Sequence, residues 1–305
     1  TIKLMTSLNS SYGRSQAVPL SVFEQSKDAH IIRSDEEAIE IAKQLAQEFA
    51  QEASDRDRER RLPLNEIQQF SQSGLWAITV PKQFGGAQVK YRTLAEVIKT
   101  IASVDPSLAQ LPQNHLAFIE HLRLDAKPEQ QQFFFNLVLR GIRFGNAFSE
   151  KHGKTVADFT TTLRKTEHGY EINGKKFFAT GALLAHWIPI VAVNELGQPY
   201  AALVPRETSG VNIINDWSGF GQRTTASGTV ELNQVPVREE YLVPIYQAFE
   251  RPTPAGAISQ FIQAAVDAGI ARGAIEETIQ YVKNHSRAWI DSGLEKASDD
   301  PYKIG

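Results

Sequence analysis

Apolar residues recur every three to four positions from residue 34 onward. Ala38, Ile41, Ala42, Leu45, Phe49 and Ala53 share one face, and that spacing predicts an amphipathic helix. Ser34 with Glu37 marks its start as a capping box, in which each side chain can satisfy the other residue's free backbone N–H. Pro63 opens a second helix carrying Leu64, Ile67 and Phe70, and Gly74 stops it. Pro81 to Gly86 is a loop, and a third helix carries Leu94, Val97, Ile98 and Ile101. Pro106 and Pro128 each open a further helical stretch, closed after the second by Gly141. Residues 1–29 are polar and aperiodic and read as a flexible N-terminal arm.

The period changes near residue 142. Short runs rich in Thr, Val, Ile and aromatic residues alternate with turn residues up to about 243. Asn173-Gly174, between Tyr170–Ile172 and Lys175–Phe178, predicts a tight hairpin. His168-Gly169, 194–199 and Ser209-Gly210 mark other turns, so the block reads as a β-barrel or sandwich. Helical spacing returns from Gly256 to Val282 with a long apolar face. Ala264, Ala268, Gly269 and Gly273 allow close approach, so that helix wants partner helices, and the chain supplies almost none. Either other subunits cover it or the chain is truncated. The expected fold is therefore α+β. It has an arm (1–29), a helical domain (30–141), a central β domain (142–243) and the start of an incomplete C-terminal helical bundle (244–305).

Composition narrows the class. With 305 residues, 42% hydrophobic and 22% charged, the chain can bury a core without disulfides or structural metal. A net charge of -3 gives no electrostatic reason for a nucleic-acid partner. The basic stretch from Arg56 to Arg61 is interleaved with Asp55, Asp57 and Glu59 and reads as a solvated helix face. The chain has no cysteine, which excludes disulfides and thiolate sites. No apolar run reaches the roughly 20 residues of a membrane span, and a cytoplasmic location is expected. The histidines show no metal-ligand spacing, so no metal is expected.

Several segments resemble the acyl-CoA dehydrogenase superfamily: Val80-Pro-Lys-Gln-Phe-Gly-Gly86, Asn146-Ala-Phe-Ser-Glu150, Asn173-Gly-Lys-Lys-Phe-Phe-Ala-Thr-Gly-Ala182 and Val235-Pro236-Val237. The order of helices, small β domain and helices agrees. In dehydrogenases of that superfamily a carboxylate removes the substrate α-proton. The matching early positions of the long helix are Ser259 and Gln260. The family's second location for that base would lie beyond residue 305. The diphosphate-gripping arginine segment is replaced by Tyr281-Val-Lys-Asn-His-Ser-Arg287-Ala-Trp289. Gln113-Asn-His115, Gly145-Asn146-Ala, Asp216-Trp217 and Gly221-Gln-Arg223 are similar instead to an SfnB-type sulfur-acquisition group, related to the dibenzothiophene monooxygenases.

That resemblance implies reduced FMN, supplied by a separate flavin reductase, with FAD as the alternative. It further implies O₂ as co-substrate, a C4a-hydroperoxyflavin, a small organosulfur substrate and a homotetramer. By motif position, Thr180 and Phe178 contact the flavin, with Asn146, Phe148 and Ser149 from the preceding strand. Trp217, Arg223, Ser227 and Arg287 are further cofactor candidates, the arginines because a guanidinium fork suits phosphate and ring carbonyl oxygens. Thr180 and His115 are the catalytic candidates, and an imidazole can donate or accept a proton near neutrality. An FAD-dependent acyl-CoA dehydrogenase and a non-catalytic paralogue remain as alternative functions.

Overall fold

Helices precede strands, and a last long helix follows them, in the order that the hydrophobic periods predict. The computed structural model describes residues 18–24, 28–151, 153–155 and 158–285. The helices are α1 (Asp35–Ala50), α2 (Ala53–Glu59), α3 (Leu64–Gln72), α4 (Tyr91–Ala102), α5 (Pro106–Asp125), α6 (Pro128–Leu139) and α7 (Ala255–His285). The strands are β1 (Thr162–Thr166), β2 (Gly169–Ala179), β3 (Trp187–Val193), β4 (Pro199–Pro205), β5 (Val211–Ile214), β6 (Gly228–Val237) and β7 (Leu242–Val243).

The expected starts hold. Ser34 Oγ accepts from Glu37 N at 3.1 Å, although the Glu37 carboxylate reaches the N–H of Arg33. Pro106 is the first residue of α5, whose N-cap Asp105 accepts from Leu108 N at 2.9 Å. Arg56 departs from the expected solvated face. It is buried, and its guanidinium reaches Asp105 (2.8 Å), Glu66 (2.9 Å) and the carbonyl of Phe49. A charge interleaved with acids in sequence thus finds its partners from α3 and the α5 cap, which no local pattern reveals. The arm expectation also fails for residues 18–24. Val22 is buried, and its carbonyl accepts from Arg143 (2.8 Å) and Gln68 (2.7 Å), so this stretch is fastened to α3.

The strands form one sheet in the order β5-β6-β2-β1-β3-β4-β7. β4 also approaches β6, four places away in that order, so the sheet curls around a core of its own. Ile172, Ile188, Ile190, Val230 and Val235 lie in that core. The expected Asn-Gly hairpin is absent. β2 runs straight through Asn173-Gly174, and the turn falls at Glu167-His168, where Thr166 pairs with Gly169. The Asn-Gly step instead sits at a register shift against β6. A Cβ at Gly174 would lie 2.4 Å from Thr161 Oγ1, which explains the glycine without a turn.

α7 finds partners within the chain. It packs on α4 and α5, and a Cβ at Gly269 would stand 2.4 Å from the Cβ of Ala102. The small residues do allow close approach, but α4 supplies the neighbour that was expected from elsewhere. Phe261, Ile270, Ile275 and Tyr281 of this helix stay exposed, on both sides of its buried stripe.

The segment joining α6 to the sheet, residues 143–150, runs beside β3, with Gly145 N donating to Trp187 O (2.9 Å) and Ala147 N to Pro189 O (3.1 Å). Its far end is held by Glu150. That carboxylate accepts from Lys176 Nζ (2.6 Å), Thr160 N (2.7 Å) and Thr161 N (3.0 Å). Burial would raise the Glu150 carboxyl, but the bonds from Lys176, Thr160 and Thr161 outweigh it and hold the group at about 2. Burial brings Lys176 down to about 8 despite the attraction of Glu150.

Replacing Glu150 by Gln leaves the Lys176 ammonium buried without a counter-charge, and about 3–5 kcal/mol of stability should be lost in chemical denaturation at neutral pH. The folded carboxyl lies below its ordinary value of 4.5, so its contribution is complete above that pH and fades as pH falls towards 2. The gap between wild type and variant is therefore expected to narrow in melts run at pH 3.

Candidate functional site

A cleft of about 790 Å³ lies where α5, the 143–150 segment, the end of β2 and the start of α7 meet. That is within the roughly 300–1,000 Å³ of ordinary small-molecule sites. From α5 come Asn114, Ala117, Phe118 and His121, spaced i, i+3, i+4, i+7 on one helix face. Asn146, Phe148 and Ser149 line it from the joining segment, and Ser259 and Gln260 from α7. Among the described lining residues there is no Asp or Glu, and Phe118, Phe148, Pro189 and Ile245 give it largely apolar walls.

Phe178 and Thr180 reach the cleft through a bulge. Lys176 pairs with Val230 and Ala179 with Gly228, so β2 carries one more residue than β6 across that interval. The extra residue puts Phe178 in left-handed backbone, with φ of 55°. That conformation costs an aromatic residue about 1–3 kcal/mol and persists only where surrounding structure enforces it. The ring is 52% exposed, faces the cleft, and meets the Trp217 ring edge-on with centroids 6.3 Å apart. A strained, exposed aromatic at a cavity is a mark of function.

Thr180 Oγ1 lies 2.9 Å from Ser227 Oγ, and Ser227 Oγ lies 2.7 Å from Thr225 Oγ1. Thr225 in turn donates to Gln222 O at 3.2 Å. Ser227 Oγ also lies within reach of Thr225 O at 3.4 Å, so the network has acceptors enough for Thr180 to donate to Ser227. In that arrangement the lone pairs of Thr180 Oγ1 face the cleft. The same carbonyl of Gln222 accepts from Trp217 Nε1 at 3.0 Å, so the loop fixes both the hydroxyl chain and the indole. Asp216 anchors that loop by accepting from Thr229 N (2.8 Å) and Thr229 Oγ1 (2.6 Å).

The structure thus brings Asn146, Phe148, Ser149, Phe178 and Thr180 to one cleft, with Ser227 and Trp217 directly behind them. Arg223 is not among the lining residues: its Nε donates to Phe220 O and faces Asp57 of α2 at 3.6 Å. Arg287 lies outside the described residues.

His115 requires a correction. It is fully buried, its Nε2 bonded to Trp76 O (2.8 Å) and its Nδ1 accepting from Phe144 N (3.0 Å). Burial, outweighing the bond to Trp76, drives its pKa down to about 3, so it is a neutral imidazole with both nitrogens occupied. It fastens α5 to the joining segment and does not line the cleft. The helical register carries the reason, because Leu108, Leu111, His115 and Leu122 share the buried face.

The histidine that does line the cleft is His121, which the sequence reading passed over. Its Nδ1 lies 3.2 Å from Asp125 Oδ2, and Asp125 Oδ1 is ion-paired with Arg251, another lining residue. The spacing from Asn114 to His121, two helical turns, was the available signal. Arg251 comes from a remote loop and offered none.

The family model described as the acyl-CoA dehydrogenase N-terminal domain matches residues 35–141, and that of the middle domain matches residues 147–235. A dibenzothiophene monooxygenase of Rhodococcus qingshengii is 30% identical over 285 residues, covering 89% of this chain and 68% of that protein. The FMN-bound crystal structure of TdsC from Paenibacillus sp. A11-2 is similar with a TM-score of 0.79 and 34% identity, over 87% of this chain and 70% of that one. The methanesulfinate monooxygenase MsuC of Pseudomonas fluorescens is similar with a TM-score of 0.77 and 31% identity, over 87% and 68%.

Substituting Phe for His115 strips partners from two buried backbone groups, and folding stability should fall by about 2–4 kcal/mol. A proton-donating role would have the opposite signature in denaturation and turnover assays, with stability kept and turnover lost.

Proposed function

The chain belongs to the acyl-CoA dehydrogenase family, and from that premise we propose that it is a reduced-FMN-dependent monooxygenase of a small organosulfur compound. One observation carries the reading. The cleft joins a strained, exposed Phe178 and Thr180, the end of a chain of hydroxyls, to walls without a carboxylate among the described residues. The similarity to the FMN-bound TdsC, to MsuC and to dibenzothiophene monooxygenase supports the cofactor and the substrate class.

The residues fit a flavin. Phe178, backed by Trp217, offers an aromatic face to a ring system. Asn146 and Ser149 offer amide and hydroxyl groups to its polar edge. Thr180 Oγ1, donating to Ser227, would accept the N–H that a reduced flavin carries and an oxidised flavin lacks. When bound, reduced FMN supplies the two electrons with which dioxygen is activated. The chain's own contribution is to hold that ring, orient the substrate and keep the site dry with Phe118, Phe148, Pro189 and Ile245.

The dehydrogenase alternative needs a carboxylate to take an α-proton. Ser259 and Gln260 line the cleft at the early positions of α7, and Ser259 is engaged by Gln113 Nε2 at 3.0 Å. This donor set favours oxygen transfer over FAD-dependent dehydrogenation. A separate reductase would supply FMNH₂, and the exposed apolar residues of α7 suit assembly into a homotetramer. No helix among the described residues is long and apolar enough to cross a membrane. We place the enzyme in the cytoplasm, where reduced flavin is generated.

The test is turnover with FMNH₂, ¹⁸O₂ and an organosulfur compound. One labelled oxygen atom in the product supports the reading. Tight FAD binding with bleaching by an acyl-CoA would move the chain to the dehydrogenases, and no flavin binding at all would make it a non-catalytic paralogue. Replacing Thr180 by Val is expected to weaken FMNH₂ binding about three- to tenfold, as one hydrogen bond would. Oxidised FMN should be affected less, as read by anaerobic titration of both forms.

A further inference from the structure

His121, Asp125 and Arg251 form a cluster for which the flavin-holding residues have no use. His121 lies two helical turns beyond Asn114 on α5, about 10 Å along the axis. Asp125 follows it by one turn, and its side chain is fully buried. Its two oxygens are both occupied, Oδ2 by His121 Nδ1 at 3.2 Å and Oδ1 by Arg251. Arg251 Nη2 also donates to Leu124 O at 2.8 Å, which fixes the guanidinium against the end of α5.

The arrangement is asymmetric with respect to the cleft. Arg251 and His121 line it, with side chains 41% and 22% exposed, whereas Asp125 stands behind them and does not. Since the described lining holds no Lys, Asp, Glu or second Arg, the cleft meets one guanidinium, whose counter-charge is buried. With its Nη2 hydrogens spent on Asp125 and Leu124 O, the guanidinium is fixed in place and keeps its Nε and Nη1 donors for an anionic oxygen. An uncharged aromatic occupant would desolvate those donors without replacing their hydrogen bonds.

We propose that this cluster is the subsite for the anionic end of the substrate, and that the substrate is a small organosulfur anion of the sulfinate type. The proposal rests on the monooxygenase reading and sharpens it. Sulfinate, O₂ and FMNH₂ give sulfonate, FMN and water. One O–O bond breaks, one S–O bond forms at sulfur, and the second oxygen leaves as water with the two hydrogens of the reduced flavin. Sulfur and flavin each lose two electrons and dioxygen gains four. The charge is unchanged from substrate to product, so one cationic subsite serves both.

Calorimetric binding of methanesulfinate, with dimethyl sulfoxide as its uncharged counterpart, tests the subsite without turnover. Steady-state oxidation of methanesulfinate and dibenzothiophene with FMNH₂ then tests it in action. For the wild type, methanesulfinate should bind at least tenfold tighter than dimethyl sulfoxide. Arg251→Gln should raise both its Kd and its KM tenfold or more, with kcat within about threefold and the KM for dibenzothiophene not raised. Arg251→Lys, which keeps the charge and loses the guanidinium donors, should fall between; it also serves if the glutamine variant fails to fold. Equal binding of the two small ligands, or an Arg251 variant with wild-type KM for methanesulfinate, would overturn the subsite. Selective sulfinate binding without oxidation of any organosulfur compound would instead leave the subsite standing and sink the monooxygenase reading.

Discussion

The buried ion pair between Glu150 and Lys176 is the constraint on which the cleft depends. Lys176 Nζ donates both to that carboxylate and to the carbonyl of Phe148 at 3.1 Å, so one ammonium ties the joining segment to β2 at two points. The pair is costly to desolvate and is not itself a large source of stability. What it supplies is register. With Glu150 fixed, Phe177 N donates to Ser149 O at 2.9 Å, and Asn146, Phe148 and Ser149 take their places along the cleft. On the neighbouring strand the next two residues enter the bulge that turns Phe178 outward.

The other end of the same segment is held by the helices. His115 receives the Phe144 N–H, and Arg143 is buried between Leu184 O, Ser71 Oγ and Val22 O. Helical and sheet elements are thus joined through polar groups whose partners are all backbone or neutral side chains. None of Arg143's hydrogen-bond partners is acidic, and burial, with the nearby Arg206 adding to it, lowers its pKa to about 9. The cleft sits between these two fastenings, closed from the third side by α7 resting on α4 and α5.

Much of this was legible in the residues. Helix starts at Ser34, Pro106 and Pro128 follow from local capping chemistry, and the change of period near residue 142 marks the change from helix to strand. Phe178 and Thr180 were legible because a compact motif places them. Three errors share one cause, which is that tertiary partners override local pattern. Asn173-Gly174 reads as a turn until Thr161 is seen to need the space. Arg56 reads as solvated until Asp105 and Glu66 arrive from elsewhere in the chain. His115 reads as chemical until its register with Leu108 and Leu111 is followed inward, and the cleft histidine proves to be His121. Asp125 and Arg251, 126 residues apart, could meet only in the folded chain.

The most direct test of the account is a crystal structure of the protein with FMN. The account expects the isoalloxazine ring in the cleft against Phe178, with its central ring nitrogen within hydrogen-bond distance of Thr180 Oγ1 and the space before His121 and Arg251 left for substrate. A flavin bound elsewhere, or lying across His121 and Arg251 with Thr180 out of reach, would contradict it.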